Sequence, residues 1–362
     1  MIRTAHVVLF YAFDVAEAIN FDRLRIVLGQ AASPARLAPK PATPPYVQYE
    51  QPPLTFDGDL IGVSEIAGLH VRVRVYDYGV VSFALRRSFT GDWPDLLALG
   101  QQLVDNAQLE GEIATCARRA VDRLRAALDK PRLEWLVEDY AVFGLTALEP
   151  TLTADALIAT HGGDIAALLR GETQPLSDQE VDHVLRNRLS YLADDLVIPT
   201  WNGALVYDTE AGIEAAENIV EFANSQLLQF RYYDRLLDSE LGRLYDELQQ
   251  DRRAYLFGAR RYTRAARHVH ALFIDIQDLV DRTENALKFV GDIYAARMFS
   301  LVGARLGLDP WKKHVRDKLQ TLERIYHFAV EQSSIARGEL LELIIIAILV
   351  LELVLFFLGI MK

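Results

Sequence analysis

Six arginines, at positions 252, 253, 260, 261, 264 and 267, crowd the stretch from Arg252 to Ile274, which holds no acid. Guanidinium groups at that density serve lipid phosphates, nucleic-acid phosphates or a facing acidic helix. The preceding stretch, Asp234 to Asp251, holds six acids against two arginines, so pairing across a helical hairpin is the plainest use. Tyr255, Phe257 and Tyr262 lie among the cations, as stacking on single-stranded nucleic acid would require. A third use follows from nearness to a bilayer, and makes Arg260, Arg261, Arg264 and Arg267 membrane-surface or partner contacts. Glu352 is the other group with chemistry, alone in an apolar run. A central acid costs about 3 kcal/mol in hydrocarbon and marks function by default. We expect it to be neutral and hydrogen-bonded to a neighbouring copy, an intramembrane self-association contact.

Elsewhere the search for chemistry is negative. The chain holds no phosphate-cradling loop, dinucleotide-binding glycine motif or nucleophile elbow. His161-Gly162-Gly163-Asp164 before a helix would aim backbone N–H groups at an anion, though Asp164 reads more plainly as an N-cap. His268 and His270, two apart on a predicted helix, lie on different faces and make a poor metal pair. Glu138-Asp139 and Asp194-Asp195 sit beside strands, where neighbours point oppositely, so neither pair is a dyad by itself. Cys116, the single cysteine, reads as a packed thiol in a reducing compartment. No catalytic, cofactor-binding or metal-ligating residue is assigned, and an enzyme is not the favoured reading.

The elements that would carry these groups fall into three parts. With 51% apolar and 24% charged residues the chain has a real core, and its net charge of −12 argues against a general nucleic-acid ligand. Residues 1–208 read as a mixed α/β domain. His6 to Phe13 is a buried first strand, followed by an amphipathic helix near 15–28. Seven prolines between Ser33 and Pro53 make residues 33–53 a connector. Leu69 to Tyr76 alternates as a half-buried strand, Asp77-Tyr78 makes a turn with Gly79 at positive φ, and Gly79 to Leu85 is a second strand. Helices near 92–105 and 108–129, a strand at 138–147 and helices near 153–170 and 177–188 follow. A hairpin then joins Leu196–Pro199 to Ala204–Tyr207 through Asn202-Gly203.

Residues 209–339 read as a long-helix stalk, with helices near 211–250, 257–305 and 310–361. Heptad spacing runs through Ala216, Val220, Ala223, Leu227, Phe230, Asp234, Leu237, Leu241, Leu244 and Leu248. It recurs through Val315, Leu319, Leu322, Tyr326, Ala329, Ser333, Ala336, Leu340 and Leu343. Val269, Leu272, Ile276, Leu279, Ala286, Val290 and Ile293 supply the helix between, and Gly307-Leu308-Asp309-Pro310 is a stop and restart. Residues 340–362 read as one transmembrane anchor: Leu343 to Met361 holds nineteen residues, fifteen of them Leu, Ile, Val or Phe, with one charge. Those fifteen contribute roughly −4.5 to −9 kcal/mol to insertion, more than the single acid costs. Arg337 stays behind the span and Lys362 follows it, which places the folded part in the cytoplasm. An antiparallel hairpin about residues 307–308 sets Leu340 opposite Asp275, and so puts the arginine group at the headgroups. The fold class is α+β: a mixed α/β domain, a coiled-coil hairpin and one C-terminal membrane helix.

Three segments, Phe13-Asp14-Val15-Ala16-Glu17, Tyr76 to Phe83, and Glu342 to Ile346 with Leu351-Glu352, resemble the required-for-meiotic-nuclear-division family. The resemblance implies a self-assembling membrane protein with no agreed catalytic residues, sited in the mitochondrial inner membrane in eukaryotes, where its member supports translation. A scaffold or tether in the cell's inner membrane, homo-oligomeric and docking a protein or ribosome, is therefore expected. The alternative is an enzyme acting on a nucleotide or nucleic acid, with its site around Asp77, Tyr78 or Asp194.

Overall fold

The computed structural model describes residues 1–29, 33–34, 52–104, 106–250, 271, 273–281 and 293–357, excepting the side chains of 33–34, 244–250, 328–330, 332–341, 343 and 352–357. Most of the Pro-rich connector, all six arginines of 252–267, His268, His270 and the Glu352 side chain lie outside the described residues. Two compact units divide the chain, one of Met1–Tyr232 with Arg282–Asp309, the other of Tyr233–Asp281 with Pro310–Lys362.

Strand β1 (Ile2–Asp14) is apolar on both faces because it runs down the middle of the sheet, buried from Ala5 onward. The other strands are β2 (Ala16–Ile19), β3 (Ser33–Pro34), β4 (Leu54–Asp57), β5 (Glu65–Ile66), β6 (Leu69–Val75), β7 (Val80–Gly91), β8 (Leu128–Pro131), β9 (Val137–Leu148), β10 (Leu196–Pro199) and β11 (Gly203–Tyr207). Among the described residues the main sheet has the order β10-β11-β9-β1-β7-β6-β4-β3, with β5 also on β6. Leu9 of β1 stands opposite Leu85 of β7 and Ala141 of β9, both antiparallel; β11 on β9 is parallel.

The period-2 pattern sends Val7, Leu9, Tyr11 and Phe13 of β1, Val71, Val73 and Val75 of β6, and Val81, Phe83 and Leu85 of β7 to one face. There they form one core with apolar residues of α1 (Phe21–Leu28), α2 (Trp93–Leu103), α3 (Ala107–Leu124), α4 (Ala154–Arg170) and α5 (Asp178–Leu185). Asn106 starts α3 by accepting from Gln108 N and Leu109 N at 3.0 and 3.1 Å. The opposite face takes α6 (Glu210–Gln250) and α7 (Ile293–Leu306), whose Phe222 and Phe299 rings lie 5.7 Å apart. Every residue of α6 from 216 to 230 is buried, so this half of the helix belongs to the first unit rather than to a separate stalk.

The single helix expected over 15–28 is a short strand and a shorter helix. Ala16–Ile19 pairs with β8 as a second, two-stranded sheet, and pairing across more than a hundred residues outweighs the helical propensity of Ala-Glu-Ala. The turn at Asp77-Tyr78-Gly79 forms as expected, with Gly79 at φ +88°. The hairpin at Asn202-Gly203 joins the expected strands.

In the second unit, α8 (Leu308–Phe357) buries Val315, Leu319, Leu322 and Tyr326, the first four heptad positions of its predicted seam. Leu237 of α6 and Ile276, Leu279 and Val280 of the helical residues 273–281 are buried as well. Lys318 Nζ sits 2.6 Å from Asp234 Oδ1 and 2.7 Å from Asp238 Oδ1, which explains why a charge holds a heptad position. Ile293, expected on an apolar seam, is instead 80% exposed at the start of α7. Gly307, at φ +69°, separates α7 from α8 as the stop-and-restart pattern requires. Among the described residues no helix is long and apolar enough to cross a membrane.

Candidate functional site: a buried polar layer under α6

Between the sheet and α6 the expected apolar packing gives way to charge. His6, Asp14, Arg74, Ser82, Glu138, Glu217, Asn218, Glu221, Asn224, Ser225, Gln226 and Gln229 are all buried there. On the helix side Glu214, Glu217, Asn218, Glu221, Ser225 and Gln229 recur at three- and four-residue spacing, a polar stripe turned inward. On the sheet side, the residues of β1 and β6 that alternate with the core supply His6, Asp14, Arg72 and Arg74.

Three clusters make up the layer. At its near end His6 Nε2 lies 2.5 Å from Glu217 Oε1, and Arg86 Nη2 lies 3.0 Å from His6 Nδ1. Arg86 Nη2 lies about as near the other ring nitrogen, 3.1 Å from Nε2, so the imidazole is wedged between a cation and an anion. The ring fits because a Cβ on Gly144, opposite His6 on β9, would stand 2.8 Å from its Cε1. Arg72 approaches Glu214 and Glu217 at 3.8 and 4.0 Å.

In the middle, Arg74 uses its whole fork: Nη1 to Glu221 Oε2 at 2.5 Å, Nη2 to Asn218 Oδ1 at 2.6 Å and Nε to Thr55 Oγ1 at 3.1 Å. Tyr76 stacks on Tyr78 at 5.2 Å, and burial, with Glu221 beside it, pushes its phenol well above the usual range. The Tyr78 hydroxyl lies 2.7 Å from Ser225 Oγ and accepts from Gln226 Nε2 at 3.0 Å.

At the far end Asp14 Oδ1 accepts from Gln229 Nε2 at 3.2 Å and pairs with Arg132 Nε at 3.1 Å. The Arg132 guanidinium lies 3.3 Å from the centre of the Tyr232 ring, a cation–π contact. Burial pushes the Asp14 carboxyl up to about 7, against the pull of Arg132 and Gln229. Arg231 pairs with Glu138 beside it.

Each buried carboxylate of the layer thus has a cation, and each named guanidinium is committed to α6, to His6 or to a strand end. Such an arrangement fixes the register of α6 on the sheet; it presents no nucleophile beside a base.

The groups singled out from sequence are scattered. Asp194 lies beside β10, whereas Asp77 and Tyr78 turn between β6 and β7; β11, β9 and β1 intervene, about 19 Å of sheet at the usual strand spacing. Asp195 is a loop cap, accepting Tyr191 N at 2.7 Å and Leu192 N at 2.6 Å, with Tyr294 Oη at 3.4 Å. Asp208 holds Thr209 N at 2.6 Å at the head of α6, and burial raises its carboxyl. His161 lies inside α4, at a non-helical kink, stacked 4.7 Å from Trp93 with Nδ1 3.0 Å from Asp164. The N-cap of α4 is Thr153 rather than the expected Asp164, which lies just past the His161 kink. Glu138 is buried and Asp139 exposed. Among the described residues no three His, Cys, Asp or Glu side chains group to hold a metal ion.

The polar layer itself escaped sequence reading. Its only trace is that the acids and amides of α6 have as counterparts a histidine, an aspartate and two arginines in otherwise apolar strands.

A family model described as "Uncharacterized protein MJ0711, N-terminal domain" matches residues 4–214, more than half of the chain and all of its sheet but the first two residues of β1. The uncharacterized protein MJ0711 of Methanocaldococcus jannaschii is 21% identical over 285 residues, covering 79% of this chain and 81% of that protein. No solved structure matches. What stands of the resemblance drawn from sequence is membership in an uncharacterised family; neither match carries the meiotic-nuclear-division name.

Proposed function

We propose, from the premise that the chain belongs to the family of the MJ0711 N-terminal domain, that it is a membrane-anchored, self-associating scaffold with no catalytic centre of its own. The observation that carries this reading is the far part of α8. Ile344, Ile345, Ile346, Ile348, Leu349, Val350 and Leu351 are between 46% and 58% exposed. Eight successive residues turn more than twice around a helix axis, so this apolar surface faces every direction and has no polar side. Water is a poor solvent for such a surface, and hydrocarbon a good one. The sequence continues it to Met361, long enough for a bilayer core, with Arg337 on the cytoplasmic side.

The α/β unit, on this reading, is the part that docks a partner, and the arginines at 260, 261, 264 and 267 meet anionic headgroups. Glu352 joins copies within the membrane. Alkaline carbonate extraction of cell envelopes tests the anchor: the full chain is expected in the pellet and a chain ending at residue 339 in the supernatant. Release of the full chain overturns the reading. Purification in mild detergent then reports copy number and whether ribosomal RNA accompanies the protein, with Glu352→Leu expected to lower the copy number.

A further inference from the structure

Asp14 ends β1 with no exposed surface. Its main chain is clamped, the N–H donating to Leu136 O at 3.1 Å and Val80 pairing on the other side. The side chain therefore faces α6, where Oδ1 meets Gln229 and Arg132 while Oδ2 has no hydrogen-bond donor among the described residues. Arg132 in turn bridges the strand end to the helix, its Nε also 3.1 Å from Ala16 O and its plane over Tyr232. These contacts sit where α6 leaves the first unit at Tyr232.

We propose that Asp14 is a proton-responsive latch, holding the Gln229–Tyr232 turn of α6 closed on the sheet when protonated and loosening it when ionised. Arg132 comes from the connection between β8 and β9, and Glu138 from β9, held by Arg231 of α6. The turn between β6 and β7 brings Tyr78, a hydroxyl tied to Ser225 and Gln226; α6 brings Gln229, Arg231 and Tyr232; β7 brings the uncharged Val80 and Ser82. One cation and one amide do not replace the water that a carboxylate loses here, so the closed state favours the neutral acid.

The sign follows from linkage. The carboxyl is held near 7 in the closed state against 3.8 in water, so closure is favoured at low pH and weakens as pH rises through about 7. Between pH 5.5 and 8.5 the opening equilibrium should grow on the order of thirtyfold.

Hydrogen exchange of amides 226–232, measured on the full chain in mild detergent and corrected for intrinsic rates, reads that equilibrium. Wild type is expected to show the rise. Asp14→Asn, which keeps the shape of the neutral acid, is expected to abolish it. Arg132→Gln should move the midpoint to higher pH, because it removes the cation that favours ionisation. Carbon-13 titration of the Asp14 carboxyl supplies an independent reading and decides the matter, with Arg132→Gln, if Asp14→Asn fails to fold. A flat wild-type profile, an equal rise in Asp14→Asn, or a carboxyl that titrates near 4 would each overturn the latch.

Discussion

At the scale of single residues, the buried layer makes sharp demands. Glu217→Ala leaves His6 and Arg86 facing no anion in a site 1% exposed, and should cost about 3–5 kcal/mol in chemical denaturation. Gly79→Ala meets two obstacles: φ is +88°, and a Cβ would stand 1.9 Å from Ala16 O. Backbone cannot yield as a flexible side chain does, so we expect a loss of at least about 2 kcal/mol, seen as a lower melting temperature. Asp14 sets the pH dependence of stability. A carboxyl raised from 3.8 to about 7 stabilises the fold below pH 3.8, and that stabilisation fades as pH climbs to 7. The change is worth roughly 4 kcal/mol. Asp14→Asn should flatten the denaturation free energy across that window, and an unchanged slope would refute the assignment.

The element that matters most is α6, since one helix carries half of a polar interface. Removing either partner of Arg74–Glu221 strands a buried charge, whereas replacing both with Met and Leu removes the desolvation cost as well. Arg74→Met and Glu221→Leu should each destabilise by about 3 kcal/mol, and the double variant should come near wild type in a thermal double-mutant cycle. Additive losses would show that Arg74 acts through Thr55 and Asn218 rather than through Glu221.

Legibility in the sequence follows the range of the interactions. Leu69 to Tyr76 alternates and Asn202-Gly203 turns through forces within a few residues, and both strands and turns were readable. Ala16–Ile19 depends on Asp129 and Pro131, more than a hundred residues away, and was read as helix. The inward polar stripe of α6 looks from sequence like a solvated face. Only its partners, 144 residues away for Asn218 and Arg74 and 215 for Gln229 and Asp14, turn it inward. Such distances leave no local pattern. The apolar run at 343–361 is plain from composition alone, whereas among the described residues no helix is long and apolar enough to cross a membrane.

For the whole molecule, the two units should respond separately to damage. Leu319→Ala with Leu322→Ala opens space beside side chains 3% and 0% exposed, at a cost of about 2–5 kcal/mol each. Hydrogen exchange is expected to rise in residues 308–327 while the strands of the sheet keep their protection. A uniform rise would mean that the chain unfolds as a single cooperative body.

The placing of β1 also has a consequence for birth at the ribosome. The first strand to emerge is the middle of the sheet, yet its neighbours end at residues 91 and 148, and the helix over its charged side follows only after residue 210. At ordinary translation speeds that is a wait on the order of ten seconds or more. Through that interval a ribbon of Val, Leu, Phe and Tyr must stay unmated, and besides its tyrosine only Arg3, His6 and Asp14 within it are ionisable. Two of these, His6 and Asp14, later hold α6 in place, and with Arg3 they interrupt the nascent strand against premature pairing with another chain.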